Sequence, residues 1–408
     1  MKVYFETYGC SLNQADTLFM QGLVKGAGYI IVDNLDAADI VVVNTCTVKQ
    51  KTEIKILKRI KSIKDKKVVV TGCLVQVYPE LFKDLSVIGC EAVNDIVNAC
   101  RGSVRNLDKN YCEKLNVVPL RKNKVVEIIP ISQGCLGDCH YCQTKFARGV
   151  LHSYNKEDIV RHAHDALEKG AKELWLTSQD TGCYGFDINT NLARLINDLV
   201  KLDYDFRIRV GMMNPNHALK MLPELVKSFN SEKVYKFLHI PIQSGSDSVL
   251  KSMNRYYSIS DFKHVIDSFK KEFPDITIGT DIICGYPTES EEDFKKSLEL
   301  IKWLKPTVLN ISRFWARPKT KAFLLKPLNG RITKERSRVL YELFKKVSHD
   351  TYAGYVNKSF KVLIDEEDCL GRTGNYSLVA VKGKTVLGKF YNVKITKISA
   401  IHLIGERV

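Results

Sequence analysis

The chain has 408 residues, 45% hydrophobic and 26% charged, a globular composition long enough for two or three domains, which excludes a disordered polyelectrolyte and a small disulfide-stapled module. No apolar run reaches the ~18 residues a bilayer span requires and no leader pattern opens the chain, so a soluble, cytoplasmic protein without a membrane partner is expected. In such a reducing compartment twelve cysteines point to metal or redox chemistry, and a formal charge of +16 points to polyanionic partners.

In chain order, Val3 to Thr7 reads as a strand and Asn13 to Gly28 as a helix with Leu18, Phe19, Leu23 and Val24 on one face. Ile40 to Asn44 is a buried strand, Val48 to Ile63 a basic amphipathic helix and Lys67 to Thr71 another strand. This alternation predicts an α/β protein whose N-terminal domain, 1–110, is built on a parallel sheet. A polar linker is expected over 111–124. Strand candidates then recur at 125–131, 173–177, 206–211, 236–242, 276–283 and 307–314, with helices such as 155–169 and 290–302 between them. Six such units predict a partial (β/α)6 barrel over 125–346. In 347–408, Phe360 to Ile364, Leu378 to Val381, Thr385 to Lys389 and Val393 to Ile398 read as short strands divided by glycines, hence a small all-β barrel.

The charge is localised. Residues 49–67 hold nine Lys or Arg against two acids, and residues 313–346 hold eleven against two, which together account for the whole net charge. Clustered cations suit a phosphate backbone; solvated helix faces are the competing reading.

The sharpest chemical signal is Cys135-Leu-Gly-Asp-Cys139-His-Tyr-Cys142, directly after a strand. Three thiolates in one loop reach a single metal centre, whereas a closed zinc site or fully ligated cluster needs four ligands, so one position stays open. A second set is implied by the fold: Cys10, Cys46 and Cys73 each follow a strand of the first domain, and in open parallel sheets ligands gather at the carboxyl ends of strands. Buried small hydrophobes are the alternative for each of these three. Cys90, Cys100, Cys112, Cys183, Cys284 and Cys369 have no such placement and are read as structural.

The CxxxCxxC spacing, with Tyr141 before the last cysteine, resembles the signature of the radical S-adenosylmethionine (SAM) superfamily. Further motifs extend the resemblance over essentially the whole chain to the methylthiotransferases: Glu6-Thr-Tyr-Gly-Cys-Ser-Leu-Asn-Gln-Ala-Asp16, Val43-Asn-Thr-Cys-Thr-Val48, Thr71-Gly-Cys73, Ser178-Gln-Asp-Thr-Gly-Cys-Tyr-Gly185, His239-Ile-Pro-Ile-Gln-Ser-Gly-Ser246, Met253-Asn-Arg255, Thr280-Asp-Ile-Ile-Cys-Gly-Tyr-Pro-Thr-Glu289 and Gly371-Arg-Thr-Gly-Asn-Tyr376. Within them, Cys142-Gln-Thr-Lys-Phe-Ala-Arg-Gly149 is similar to the archaeal and eukaryotic branch acting on N6-threonylcarbamoyladenosine in tRNA. The segment lacks the proline found in the branches that modify isopentenyladenosine or a ribosomal-protein aspartate.

The resemblance implies a cluster domain, a radical SAM domain and a C-terminal TRAM domain. It implies two [4Fe-4S] clusters, one on Cys10, Cys46 and Cys73 and one on Cys135, Cys139 and Cys142, with SAM as cofactor and methylthiolation of C2 of the base at tRNA position 37 as the reaction. Tyr141, Gln179, Asp180, Gln243, Ser244, Arg255, Gly285 and Thr288 are then candidate SAM contacts, with helix caps and loop hydrogen bonds as the competing roles. Arg148 is a candidate partner for the threonyl carboxylate of the substrate, or a barrel-mouth ion pair. Arg313, Arg317, Lys319, Arg331 and Arg336 are candidate contacts to the anticodon stem-loop of tRNA. Tyr376, Phe390 and Tyr391 are candidate stacking residues unless they belong to the core. A reductant protein is a further implied partner. The alternatives are the isopentenyladenosine and aspartate activities, or a tRNA-binding iron–sulfur carrier without chemistry of its own.

Overall fold

A computed structural model describes residues 1–109, 111–117, 119–121 and 123–408. Asn110 of the expected first domain and Val118 and Lys122 of the expected linker lie outside the described residues. Six strands, β1 (Lys2–Thr7), β2 (Ile30–Val32), β3 (Ile40–Thr45), β4 (Lys67–Gly72), β5 (Ser86–Ile88) and β6 (Arg105–Asn106), form a parallel sheet in the order β2-β1-β3-β4-β5-β6. β3, Ile-Val-Val-Val-Asn-Thr, is buried along its whole length because helices cover both faces. One face packs Val3, Phe19, Val24, Ile40 and Val42; the other packs Val41, Val43, Ile56, Ile60 and Leu74. The four helices are α1 (Ser11–Gly26), α2 (Gln50–Ser62), α3 (Cys73–Val77) and α4 (Ile96–Arg101). Strand order reverses around β1, so a crevice opens between the carboxyl ends of β1 and β3.

The second domain contains β7 (Val126–Pro130), the small antiparallel pair β8 (Ser132–Gln133) and β9 (His152–Ser153), and β10 (Glu173–Thr177), β11 (Arg207–Val210), β12 (Phe237–His239), β13 (Thr277–Cys284) and β14 (Val308–Arg313). The parallel sheets β11-β10-β7 and β12-β13-β14 meet through an Ile208–Val234 bridge, which yields the expected six-stranded partial barrel. Ser258 and Ser290 close capping boxes with Asp261 and Asp293 and so fix where two of its helices begin.

The C-terminal strands β15 (Ser359–Glu366), β16 (Leu370–Thr373), β17 (Leu378–Lys382), β18 (Phe390–Ile398) and β19 (Leu403–Arg407) close a barrel in the order β15-β16-β17-β19-β18. Thr385 to Lys389 is not one of them. Gly383 just before it and Gly388 within it have φ angles of 92° and 80° that bend the chain, and its Val386 and Leu387 are exposed. The helix Gly330–Ala353 runs straight across the boundary expected at 346/347. Among the described residues no helix is long and apolar enough to cross a membrane.

The small barrel docks on the amino ends of the larger barrel's strands. Gly374 O accepts from Lys236 N just before β12, and Asn375 Nδ2 donates to Asp275 O just before β13. Tyr376 packs against Tyr235 and Phe237, with ring centroids 4.9 and 5.0 Å away, so it is a packing residue of this interface and not an open stacking platform. Phe390 and Tyr391 are half-buried, with the guanidinium groups of Arg207 and Arg407 4.7 Å from their ring centroids.

Candidate functional site

Each cysteine of the first set follows a strand. Cys10 precedes α1 after β1, Cys46 follows β3, and Cys73 opens α3 after β4. Gly9 and Gly72 make this approach possible: a Cβ on Gly9 would stand 3.2 Å from Cys46 Sγ, and one on Gly72 would stand 2.5 Å from Thr45 O. Asn13, on the first turn of α1, ties the three strand ends together. Its Nδ2 donates to Tyr8 O and Thr45 O, while its Oδ1 lies 3.9 Å from Cys10 Sγ and 3.8 Å from Cys73 Sγ.

Arg148 enters this set from the second domain. Its guanidinium is buried, 2.6 Å from Asp16 Oδ2 and 2.8 Å from Asn13 Oδ1, and its charge acts on Cys10, Cys73 and Cys90. Asp16 also receives Lys114 Nζ at 2.7 Å, so two buried cations face one carboxylate. Burial raises the Asp16 carboxyl, but the two cations outweigh it and hold it below its ordinary range. Arg148 is therefore occupied as an inter-domain ion pair, which removes it as an open partner for the substrate carboxylate. Cys90, read from sequence as structural, packs beside Cys73, and its side chain, with Arg148, keeps the Cys73 thiol below its usual range.

The second set surrounds Gly137, from whose position a Cβ would stand 3.3 Å from Cys135 Sγ and 3.7 Å from Cys139 Sγ. Backbone N–H groups of Gly137 and Thr144 point at Cys135 Sγ and Cys142 Sγ at 3.2 and 3.3 Å, and Val48 N does the same for Cys46 Sγ at 3.4 Å. Burial pushes the Cys46 thiol up to about 11 and the Cys135 thiol up to about 12. Ionising three thiols in such surroundings needs a compensating cation. Two sets of three sulfurs, each with N–H groups aimed at it, fit iron–sulfur groups with one open position apiece.

The two sets meet. Thr47 Oγ1 donates to Gln143 Oε1 at 2.9 Å, joining the residues that follow Cys46 and Cys142. Ser11, next to Cys10, shares a 2.5 Å hydrogen bond with Thr177 at the end of β10. Gln143 Nε2 also donates to Tyr78 OH and to Pro318 O. The carboxyl edge of one sheet is thereby seated on the carboxyl edge of the other.

Around the second set, Arg255 donates to Cys139 Sγ at 3.2 Å, to Tyr257 OH and to Asn214 Oδ1. Asp180 is a fully buried hub: its oxygens accept from Gly182 N, Asn214 N and Asn214 Nδ2, and His217 Nδ1 lies 2.6 Å away. Its oxygens are fully engaged, which makes it the anchor of Asn214 and His217, two residues that sequence reading missed. Gln179 Oε1 is buried without a hydrogen-bond partner. Gln243 holds a left-handed φ of 69° at a strand end, beside the fully buried Ser244. Tyr141 packs against the cluster of Val249, Met253 and Tyr286. Gly285 has its own reason, since a Cβ there would collide with Thr333 of the long helix, and Thr288 is exposed.

The expected phosphate contacts divide. Arg336 is buried against Glu289 and Glu291, and Arg317 against Glu53 at 2.6 Å, so neither guanidinium is free for RNA. Lys319 donates to Val77 O. Arg313 and Arg331 are exposed.

Residues 2–90 match an uncharacterized protein family, UPF0004, residues 129–301 the radical SAM superfamily and residues 354–408 the TRAM domain. The chain is 43% identical over 424 residues to a probable threonylcarbamoyladenosine tRNA methylthiotransferase of Pyrococcus horikoshii, covering 100% of this chain and 99% of that one. It is 37% identical over 430 residues to the threonylcarbamoyladenosine tRNA methylthiotransferase of Homo sapiens, covering 100% and 74%. Among solved structures, a radical S-adenosylmethionine methyltransferase from Kitasatospora setae, with cobalamin and a [4Fe-4S] cluster bound, superposes with a TM-score of 0.57. The match covers 79% of this chain and 76% of that one at 14% identity, a likeness of fold alone. With two sets of three cysteines carried on loops hydrogen-bonded to each other, and full-length identities of this size, the chain belongs to the threonylcarbamoyladenosine tRNA methylthiotransferase family.

Proposed function

We propose that this protein is a cytoplasmic radical SAM enzyme that replaces C2–H of N6-threonylcarbamoyladenosine, at position 37 of tRNA, with C2–SCH3. The observation that carries this reading is the Thr47–Gln143 hydrogen bond, which joins the loop after Cys46 of the first set to the loop after Cys142 of the second. A purine C2–H is not acidic and carries no leaving group, so side-chain acid–base chemistry has nothing to act on. Cys135, Cys139 and Cys142 would hold the [4Fe-4S] group that, with one SAM, would supply a 5'-deoxyadenosyl radical, and Cys10, Cys46 and Cys73 would hold the one that supplies the sulfur, whose methyl group would come from a second SAM.

The chain's own residues position and exclude. Arg255 fixes Cys139 and is itself oriented by Asn214, which Asp180 holds. Gln179 offers an unpaired buried acceptor to the polar groups of SAM, whose burial without partners is costly; Gln243 and Ser244 are the further polar candidates at this edge. Arg148 and Lys114 place positive charge beside the first set, where a thiolate-held group is anionic. A protein reductant supplies the electron.

Mass spectrometry of tRNA nucleosides from a strain lacking the gene tests the reading. The 2-methylthio derivative of N6-threonylcarbamoyladenosine disappears and returns with the restored gene. Loss of the isopentenyladenosine derivative, or of a methylthiolated ribosomal aspartate, would reassign the substrate. Absence of 5'-deoxyadenosine after anaerobic incubation with SAM and a reductant would make the chain a carrier.

A further inference from the structure

The two basic stretches fare differently on folding. In the second, Arg317, Arg336, Arg338 and Lys345 are ion-paired with Glu53, Glu289, Glu335 and Glu342, and what stays exposed is scattered between Arg313 and Lys346. In the first, α2 buries Ile56 and Ile60 and presents Lys51, Lys55, Lys58 and Lys61 to solvent, none with an acidic partner among the described residues. Spacings of four and three put Lys51, Lys55 and Lys58 on one face, and Lys51 to Lys61 spans about 15 Å of helix.

That face borders a groove of about 730 Å³ between α2 and β1, lined by Tyr4, Tyr8, Lys55, Lys58 and Arg59. Glu6 in the groove is already neutralised by Arg59 at 2.5 Å, and Tyr8 OH donates to it. Lys55 Nζ stands over the Tyr8 ring, 5.8 Å from its centroid. Tyr8, in the groove, lies two residues before Cys10, and α2 starts four residues after Cys46. The TRAM barrel, by contrast, sits at the amino ends of the barrel strands, roughly a strand length of ~17 Å from the carboxyl edge where the cysteines lie.

We propose that the lysine face of α2 and the Tyr4–Tyr8 groove hold the ribose-phosphate backbone of the RNA next to the nucleotide entering the site. The inference rests on the tRNA-modifying reading above. Cations alternating with aromatic rings are the chemistry of single-stranded RNA, phosphate to lysine and base to ring, and differ from the cation-only face an acidic protein requires.

The test is binding of an unmodified tRNA transcript to the cluster-loaded enzyme across a salt series. The variants are K51A/K55A/K58A and, for comparison, R331A/K334A/K346A on the long helix, with melting temperature and iron content confirming that each is folded. The α2 variant is expected to lose roughly tenfold or more in affinity at low salt, and the slope of log affinity against log salt is expected to fall by about 2 to 3, at 0.7–0.9 per lost contact. The comparison variant is expected to change that slope by less than about 1. Wild-type affinity and slope in the α2 variant would overturn the inference while leaving the substrate reading in place. So would wild-type RNA binding with turnover lost only when a protein reductant replaces dithionite, which would give the face to that protein. Failure of the wild type to bind tRNA would remove both.

Discussion

Thr47 and Gln143 are hydrogen-bonded at 2.9 Å across the boundary between the two larger domains, each one residue beyond a cysteine of a different set. Gln143 is buried and also serves Tyr78 and Pro318 O, so it is the joint on which the two sets are registered. Gln143→Ala leaves the Thr47 and Tyr78 hydroxyls short of a partner, at a cost of about 1–3 kcal/mol. The expected phenotype is full iron loading with poor coupling: more 5'-deoxyadenosine formed per methylthio group transferred, measured by chromatography of both products.

Asp16→Asn strands Arg148 and Lys114 as buried cations without their carboxylate, and breaking such a pair costs about 3–5 kcal/mol. Because the Asp16 carboxyl is held below its ordinary value, its contribution is present at neutral pH and is lost as pH falls through that depressed value. Thermal melts from pH 7 downward should show an acid-side loss of stability that the variant lacks. Iron in the N-terminal set should fall first, with 5'-deoxyadenosine formation persisting.

The TRAM interface has the opposite sign. Burial, and then the nearby Glu173, push the Asp365 carboxyl up to about 8, with Arg372 opposing. An unfolded aspartate is already deprotonated between its ordinary 3.8 and 8 whereas the docked one keeps its proton, so docking weakens as pH rises through that window. Limited proteolysis after the helix Gly330–Ala353 should accelerate toward pH 8 and above, and Asp365→Asn should remove most of that dependence.

Gly72→Ala tests the geometry of the first set directly. The φ of 93° is strained for any residue with a Cβ, and that atom would meet Asn44 Oδ1 and Thr45 O, neither of which is free to withdraw. A destabilisation of about 1–3 kcal/mol is expected, with iron lost from Cys10, Cys46 and Cys73 before the radical loop. Calorimetry and iron analysis in a Cys135→Ala background separate the two.

The cysteine sets were legible because local rules fix them: a strand end puts its next residue in the crevice, and three thiols within eight residues have one loop to share. The barrel strands were legible from apolar runs such as Ile240 and Ile276 to Ile283. Pairings across long separations were not. Nothing near Arg336 announces Glu289, nor anything near Arg317 announces Glu53, so both were read as phosphate contacts before their partners were known. Gly285 reads from sequence as a SAM contact, whereas its lack of a Cβ makes room for Thr333 of the long helix. Thr385 to Lys389 has β-type composition, but the positive-φ glycines just before it, Gly383, and within it, Gly388, outweigh it.

The hydrogen bond from Arg148 to Asn13 spans 135 residues, and Asp16 relies on the same guanidinium. On the ribosome, the first sheet is complete well before that guanidinium has been synthesised, so a nascent chain carries Asp16 with only part of its counter-charge. The surroundings of Cys10, Cys46 and Cys73 therefore have their full counter-charge only when the second domain is folded against the first.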